Sequence, residues 1–255
     1  MSHAFQASLL DGFTDAAGPR DAIGPRDAIG PHDAIGDDVA AWPGPLPGRI
    51  ERTHLSQGAW IDVLPGWVRG ADTLFDRLVG AVPWRAERRR MYERVVDVPR
   101  LLCFYTDGEQ LPDPALAAAR AALDEYYAAE LGEPFTTAGL CLYRDGQDSV
   151  AWHGDRIGRG AKHDTLVAIV SVGAPRSLLL RPRRVAGNRA GGGEGKGAAA
   201  AGGEGGGSTL RHDLGHGDLI VMGGSCQRTW EHAVPKSSRA IGPRISIQFR
   251  PRGVR

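Results

Sequence analysis

Arg244-Ile245-Ser246-Ile247-Gln248-Phe249-Arg250 alternates polar and apolar residues along its whole length. An extended strand sorts such a run cleanly: Arg244, Ser246, Gln248 and Arg250 fall on one face, Ile245, Ile247 and Phe249 on the other. The apolar face requires a core. The polar face carries two arginines, and inward guanidinium groups are costly unless they meet anions. On an extended strand their Cα atoms lie about 20 Å apart, so they serve different ends of a site rather than one carboxylate. An exposed edge strand would alternate too, but Ser246 and Gln248 on the same polar face favour a lined pocket.

Working outward, the chain from Ala138 onward is nearly all strand. Candidates are Gly139–Tyr143, Ser149–Asp155, Thr165–Val172, Ser177–Arg181, Thr209–Leu214, Asp218–Met222, Arg228–Ala233 and Arg244–Arg250, punctuated by Gly, Pro and Asp. Short strands at this spacing predict a closed double sheet of the jelly-roll or cupin type. The part before it is mixed. Ala59 to Leu64 reads as a strand, as do Arg94–Val98 and Leu101–Tyr105. Asp72 is placed to cap a short helix carrying Leu74, Phe75, Leu78 and Val79 and closed by Gly80 and Pro83. Asp113-Pro114 opens the clearest helix, with Leu116, Leu123, Tyr127 and Leu131 on one face, until Gly132 and Pro134 stop it. The fold class is therefore α+β, mainly β.

Two stretches fall outside that pattern. Residues 18–35 repeat Gly-Pro-Arg-Asp-Ala-Ile twice and then Gly-Pro-His-Asp-Ala-Ile. The period is too short and the copies too few for a solenoid, so residues 1–40 read as a disordered tail. Residues 187–208 are glycine and alanine with scattered charge, a flexible insertion inside one domain that spans 41–255. Shortening it to a brief Gly-Ser turn is expected to leave activity nearly intact. The net charge of +1 excludes a global polycation. Cys103, Cys141 and Cys226 form no CxxC pair, so a reducing, cytoplasmic setting without disulfides is expected. Residues 1–17 lack a basic segment followed by an apolar run, and no apolar stretch is long enough to span a membrane. A monomer without membrane association is the simplest expectation.

Trp152-His153-Gly154-Asp155 supplies an imidazole and a carboxylate two residues apart. On a strand these would share a face, roughly 6.6 Å apart, with Gly154 turned away. His232, before Ala-Val-Pro, supplies a second imidazole. Two histidines and one carboxylate form the facial set that holds non-haem Fe(II) and leaves positions open for O2 and a bidentate cosubstrate. H-x-D alone is weak evidence, because a single His is more often surface or hydrogen-bonded core. Its combination with a late His and the arginine strand carries the reading. A keto diacid such as 2-oxoglutarate suits the guanidinium forks of that strand. His54, His163, His212 and His216 read as solvated or turn residues, and Asp218 as structural.

Tyr143, Trp152 to Asp155, the stretch Leu214 to Gly224 (Leu-Gly-His-Gly-Asp-Leu-Ile-Val-Met-Gly-Gly), Trp230-Glu231-His232 and Arg244 to Arg250 together resemble the AlkB family. These are Fe(II)/2-oxoglutarate dioxygenases that dealkylate nucleic-acid bases. The resemblance spans residues 50–255 apart from the glycine insertion. It implies a double-stranded β-helix with an N-terminal α/β lid that recognises the nucleotide, and Val98 to Leu101 with Tyr105 look like part of that lid. It implies that His153, Asp155 and His232 bind iron. It implies that Tyr143 and Arg244 contact 2-oxoglutarate, with Arg250 nearby. Cys141 and Ser246 stand where the family often has asparagine beside the cosubstrate. Trp60, Arg100, Tyr105, Trp152, Arg156 and Arg183 are the candidates for substrate contact. Where family members tend to carry acidic residues after the H-x-D, this chain has Arg156-Ile157-Gly158, which bears on how a damaged base is read.

The function so implied is oxidative dealkylation of N-alkylated bases in single-stranded or duplex DNA, or in RNA. It uses Fe(II), 2-oxoglutarate and O2 and releases aldehyde, succinate and CO2. A duplex base must be flipped out to reach such a site. Two alternatives stand beside it. One is a 2-oxoglutarate-dependent hydroxylase or demethylase acting on RNA, protein or a small molecule. The other is a metal-binding cupin module without turnover.

Overall fold

In the computed structural model the alternating run forms a strand, Arg244–Pro251, that is buried along its entire length. The structure describes residues 40–46, 48, 50–91, 94–183 and 208–254. The hexapeptide repeats and all but the last residue of the 187–208 insertion lie outside these. In chain order the elements are β1 (Trp42–Pro43), β2 (Glu51–His54), β3 (Ala59–Leu64), β4 (Val68–Arg69), α1 (Ala71–Ala81), β5 (Arg85–Met91), β6 (Arg94–Tyr105), α2 (Pro114–Tyr126), α3 (Ala128–Leu131), β7 (Phe135–Tyr143), β8 (Val150–His153), β9 (Val167–Gly173), β10 (Arg176–Pro182), β11 (Leu210–Leu214), β12 (Asp218–Gly224), α4 (Cys226–Thr229), β13 (Trp230–Val234) and β14 (Arg244–Pro251). The larger sheet runs β2-β3-β12-β9-β14-β7-β6-β5 and the smaller β11-β10-β13-β8, while β1 and β4 form a short pair. The named neighbours are antiparallel.

Residue parity divides the larger sheet into two buried faces. Ile245, Ile247 and Phe249 join Ala168, Val170, Leu219, Val221, Leu140 and Leu142 in a core shared with Leu74 and Leu78 of α1 and Leu116 and Leu123 of α2. The opposite face presents Ile61, Val167, Ile169, Ile220 and Met222 to Leu178, Leu180, Trp230 and Val234 of the smaller sheet. Two sheets packed face to face, with helices outside the larger one, make the mainly β, double-sheet core that the strand pattern predicts.

Several boundaries differ from the sequence reading, each for a physical reason. Asp113 does cap α2, its side chain accepting from the Ala115 N–H at 2.8 Å. Asp72 does not cap α1: Gly70, in a left-handed conformation, takes that place and Asp72 sits in the first turn. The two strands expected at Arg94–Val98 and Leu101–Tyr105 are one, β6, continuous through Pro99. The proline is tolerated because β6 pairs with β7 only from Leu101 onward, and its ladder with β5 shifts register between Ala86 and Arg88. β5 itself, Arg-Ala-Glu-Arg-Arg-Arg-Met, lacks the apolar alternation that reveals a strand. Arg228, expected to begin a strand, lies in the single turn α4.

A polar cluster ties the helical layer to the sheet. The buried Asp62 carboxylate of β3 accepts from Arg52 Nε and Nη2, both at 2.7 Å, and from the Tyr127 hydroxyl at 2.9 Å. Asp62→Ala strands the buried phenol and frees the guanidinium. The expected cost is about 1–3 kcal/mol, because Arg52 is partly solvated and its share is screened. Thermal unfolding should show a melting temperature lower by several degrees. An unchanged value would remove this cluster from the account of the fold.

Candidate active site

The inner face of β14 and the strands beside it enclose a pocket with about 510 Å³ of free space, its open mouth included. It is lined by Arg100, Cys141, Tyr143, His153, His232, Arg244, Ser246, Gln248 and Arg250, with Val150, Ile169, Leu178 and Val234 as its apolar walls. All five residues expected at the cosubstrate (Cys141, Tyr143, Arg244, Ser246 and Arg250) are therefore brought together, along with two of the three expected metal ligands.

The third ligand joins them from just beyond a strand end. β8 stops at His153, so Asp155 is not two residues along the same strand, as simple alternation predicts. Instead β8 carries a bulge: His153 pairs with His232 and Val150 with Val234, three steps on one strand against two on the other. The extra residue turns both Val150 and His153 inward, and re-aiming a side chain near a site is what such bulges do. The bulge also orients the ring. His153 Nδ1 lies 2.9 Å from the Ala151 carbonyl oxygen. A carbonyl only accepts, so Nδ1 carries the proton and Nε2 is left as the metal-binding nitrogen.

Gly154 does not face open space. A Cβ there would come within 2.6 Å of the Gln227 carbonyl oxygen, so glycine is needed for close approach. Asp155 is fully buried. Its N–H donates to Gln227 Oε1 at 2.9 Å, and its Oδ2 accepts from Arg250 Nε at 2.7 Å. Its Oδ1 points at His153, 4.0 Å from Nε2. One ligand atom from each of His153, Asp155 and His232 lies within 4.8 Å of the others, and the two rings stand 4.2 Å apart.

The electrostatics suit metal binding. Burial, and then its neighbour His153, pushes the His232 imidazole down to about 3. Burial likewise lowers His153, with Arg100 and Arg250 adding to the effect against the pull of Asp155. Burial alone would raise the Asp155 carboxyl, but the Arg250 guanidinium, helped by the imidazoles, brings it down to about 2. Two neutral imidazoles and one carboxylate are the deprotonated state a metal requires.

Four buried polar atoms mark what the pocket would hold. Asp155 Oδ1, Arg244 Nη1, Arg250 Nη1 and Arg100 Nε have no hydrogen-bond partner. Unpaired buried groups of this kind are costly. A cation between the imidazoles and Oδ1, and an anion against the guanidinium groups, would satisfy them. The residues present therefore fit both an Fe(II) ion and a carboxylate-bearing cosubstrate. Arg250 is partly committed, since its Nε holds the Asp155 carboxylate, a candidate metal ligand. Arg244 donates Nε to Ser171 Oγ at 2.8 Å and keeps Nη1 for the pocket.

The candidates for substrate contact separate. Arg100 lines the pocket and donates to the Ser149 carbonyl at 3.0 Å. Trp60 does not reach the pocket. It alternates with inward Ala59 and Ile61, so its ring stacks on Tyr127 at 6.1 Å beneath the Arg52 guanidinium. Tyr105 shares its face with Leu101 and Cys103 and packs on the helical side. Trp152 lies under Arg181, which pairs with Glu231, on the outer face of the smaller sheet. Arg156 is half-buried near Arg183, whose charge depresses it after burial does; neither lines the pocket. Asp218 is structural, accepting from the N–H groups of Gly66 and Gly215. Gln227 and Ser171 were not singled out from the sequence. Ser171 carries a signal in hindsight, as the polar residue at an inward position of an otherwise apolar strand.

Gly160 provides a local test. A Cβ there would lie 2.1 Å from the Asp155 carbonyl oxygen. Gly160→Ala must therefore displace the backbone of the ligand. Metal affinity is expected to fall roughly 10–100-fold, the scale on which support around a ligand acts, as read by Fe(II) or Mn(II) titration. Unchanged affinity would show that the loop absorbs the methyl group elsewhere.

The chain belongs to the 2OG-Fe(II) oxygenase superfamily, whose family model matches residues 63–250. Its curated relatives include AlkB-type dioxygenases, to which it is similar. It is 28% identical over 206 residues to the alpha-ketoglutarate-dependent dioxygenase alkB homolog 3 of Bos taurus, covering 74% of this chain and 66% of that protein. The Homo sapiens homolog 3 is 27% identical with the same coverage. The DNA oxidative demethylase ALKBH2 of Arabidopsis thaliana is 30% identical over 195 residues, covering 70% of this chain and 61% of that protein. The chain thus spans just under two thirds of the length of these relatives. Among solved structures, a prolyl hydroxylase in complex with a hypoxia inducible factor oxygen degradation domain peptide from Trichoplax adhaerens aligns at a TM-score of 0.48 and 11% identity, over 75% of this chain and 82% of that one. Members of the superfamily use Fe(II), 2-oxoglutarate and O2, and the triad described above matches the metal. Among the described residues no helix is long and apolar enough to cross a membrane.

Proposed function

We propose that the protein is a 2-oxoglutarate-dependent dioxygenase that removes alkyl groups from the nitrogen atoms of nucleic-acid bases. The observation that carries this is the set of complementary unpaired atoms in one pocket. Asp155 Oδ1 faces two neutral imidazoles, and Arg244 Nη1 is buried beside Tyr143 without an anion. When bound, Fe(II), 2-oxoglutarate and O2 supply an oxidant strong enough to hydroxylate a C–H bond, with succinate and CO2 as by-products.

The remaining roles fall to the chain. His153, Asp155 and His232 hold the metal, and Arg250 fixes Asp155. Arg244 grips the far carboxylate of the cosubstrate, with the Tyr143 phenol beside it. Val150, Ile169, Leu178 and Val234 keep the pocket dry. A methyl carbon hydroxylated on a base nitrogen is a hemiaminal, which expels formaldehyde and restores the base. The two-stranded ribbon β5–β6 begins at the pocket wall with Arg100 and runs beyond the end of β7. Its position supports reading it as the nucleotide lid. The similarity to a DNA oxidative demethylase supports nucleic acid as the substrate class.

The test is direct. Anaerobically Fe(II)-loaded protein is given 2-oxoglutarate, O2 and single-stranded oligonucleotides carrying N1-methyladenine or N3-methylcytosine, and succinate and formaldehyde are assayed. Both products are expected. Succinate without aldehyde would move the substrate elsewhere, to protein or a small molecule. No succinate would leave a metal-binding barrel without turnover.

A further inference from the structure

We propose that Arg176 is a positioning residue for the cosubstrate: it clasps the two loops behind Tyr143 and holds a positive charge without a direct ion pair behind the Tyr143 end of the pocket. The inference rests on the 2-oxoglutarate part of the reading above.

Arg176 opens β10 and is 4% exposed. Its Nη1 donates to the Asp145 carbonyl and its Nη2 to the Asp148 and Pro235 carbonyls, each at 2.8 Å. Asp145 and Asp148 belong to the loop joining β7 to β8. Pro235 begins the loop joining β13 to β14. Tyr143 ends β7 and Arg244 begins β14, and these two residues pair across the ladder. One guanidinium therefore fastens together the two connections on which the expected carboxylate contacts hang.

The same group faces the Tyr143 ring. Its carbon lies 5.5 Å from the ring centroid, and that of Arg244 lies 5.3 Å from it. The phenol thus stands close to two buried guanidinium groups. On its other side Arg176 lines an outer cleft with Pro175, Pro235, Lys236 and Arg239. It thus stands between that cleft and the Tyr143 ring, which itself lines the pocket.

The Asp148 and Asp145 charges reach Arg176, but neither carboxylate forms a direct ion pair with it among the described residues. The Asp148 carboxylate is held by Arg144 at 2.8 Å, and Asp145 Oδ1 accepts from the Gln147 N–H. Carbonyl dipoles satisfy the N–H donors but leave the net charge in place. A buried charge without a directly paired counter-ion raises the affinity of the neighbouring site for an anion. Arg176 would therefore favour a dicarboxylate over an analogue with the same 2-oxo acid head and an uncharged tail.

That separation gives the experiment. Dissociation constants for 2-oxoglutarate and for 2-oxopentanoate, which lacks the distal carboxylate, are measured on anaerobic Fe(II)-loaded protein. In Arg176→Met the preference for the dicarboxylate is expected to fall about tenfold or more, the scale of one charge roughly 8–10 Å away at an effective dielectric of about 20. Binding of 2-oxopentanoate should change little. Arg176→Lys keeps the charge but loses most of the clasp. Its preference should stay near wild type while its melting temperature falls. If the methionine variant does not fold, Arg176→Gln retains an amide donor without the charge and carries the same expectation. Equal weakening of both ligands in the charge-removing variants, or a full loss of preference in Arg176→Lys, overturns the proposal. A wild-type protein that fails to prefer 2-oxoglutarate would instead sink the cosubstrate reading itself.

Discussion

His232→Ala is expected to abolish succinate formation while the protein remains folded. The imidazole is buried, and its lowered basicity shows that the protein environment disfavours its charged form. Alanine leaves a small cavity, at a cost of a few kcal/mol at most by comparison with other large-to-small core changes. The proposed metal site loses one of its three protein ligands. Mutating the partners that merely orient a ligand typically costs about 10–100-fold in affinity or activity, and loss of the ligand itself should exceed that. His153→Ala should behave alike. Circular dichroism would confirm the fold, and a succinate assay at saturating Fe(II) would give the result. Turnover within tenfold of wild type in either variant would remove that histidine from the ligand set.

Arg244→Met is the second large effect, and it separates function from stability. In the protein without cosubstrate, Arg244 is buried with Nη1 unpaired while Nε donates to Ser171. Replacing a buried, incompletely paired ion with an apolar side chain of similar length is often neutral or stabilising. The melting temperature without cosubstrate should therefore hold or rise. The hydrogen bonds lost to a carboxylate are charge-assisted, at about 1.5–3 kcal/mol, which converts to roughly 10–150-fold weaker 2-oxoglutarate binding. KM for 2-oxoglutarate should rise on that scale, with Fe(II) affinity unchanged. A KM near wild type would show that the distal carboxylate lies elsewhere. A large fall in stability would show that Arg244 serves the fold.

The sequence carried more of the site than of the lid. Alternation in 244–250 fixed both faces of β14, because one side is wholly apolar and the other wholly polar. The ligand residues were legible from H-x-D with a late histidine, yet the geometric reason was not. Simple alternation misses the bulge at β8, and Asp155 lies past the strand end. The misplaced aromatics have a common cause. Trp60 and Tyr105 belong to strands of a sheet covered on both faces, so both parities are apolar and periodicity cannot choose the inward one. Trp152 falls outside for a simpler reason: it adjoins the inward-facing His153, and neighbouring strand residues point to opposite faces. Gln227 was hidden for another reason: its contact depends on a one-turn helix that overlaps the start of what reads as a strand.

The bulge at β8 has a consequence for how this centre tolerates change. The acceptor that selects the free nitrogen of His153 is a main-chain oxygen, so no side-chain replacement at residue 151 can delete it. Amino-acid exchange there should be forgiving. A one-residue deletion between Val150 and His153 should not be, since it would swing the imidazole out toward solvent. Gene-level changes in length, rather than in identity, are the vulnerability of this part of the protein.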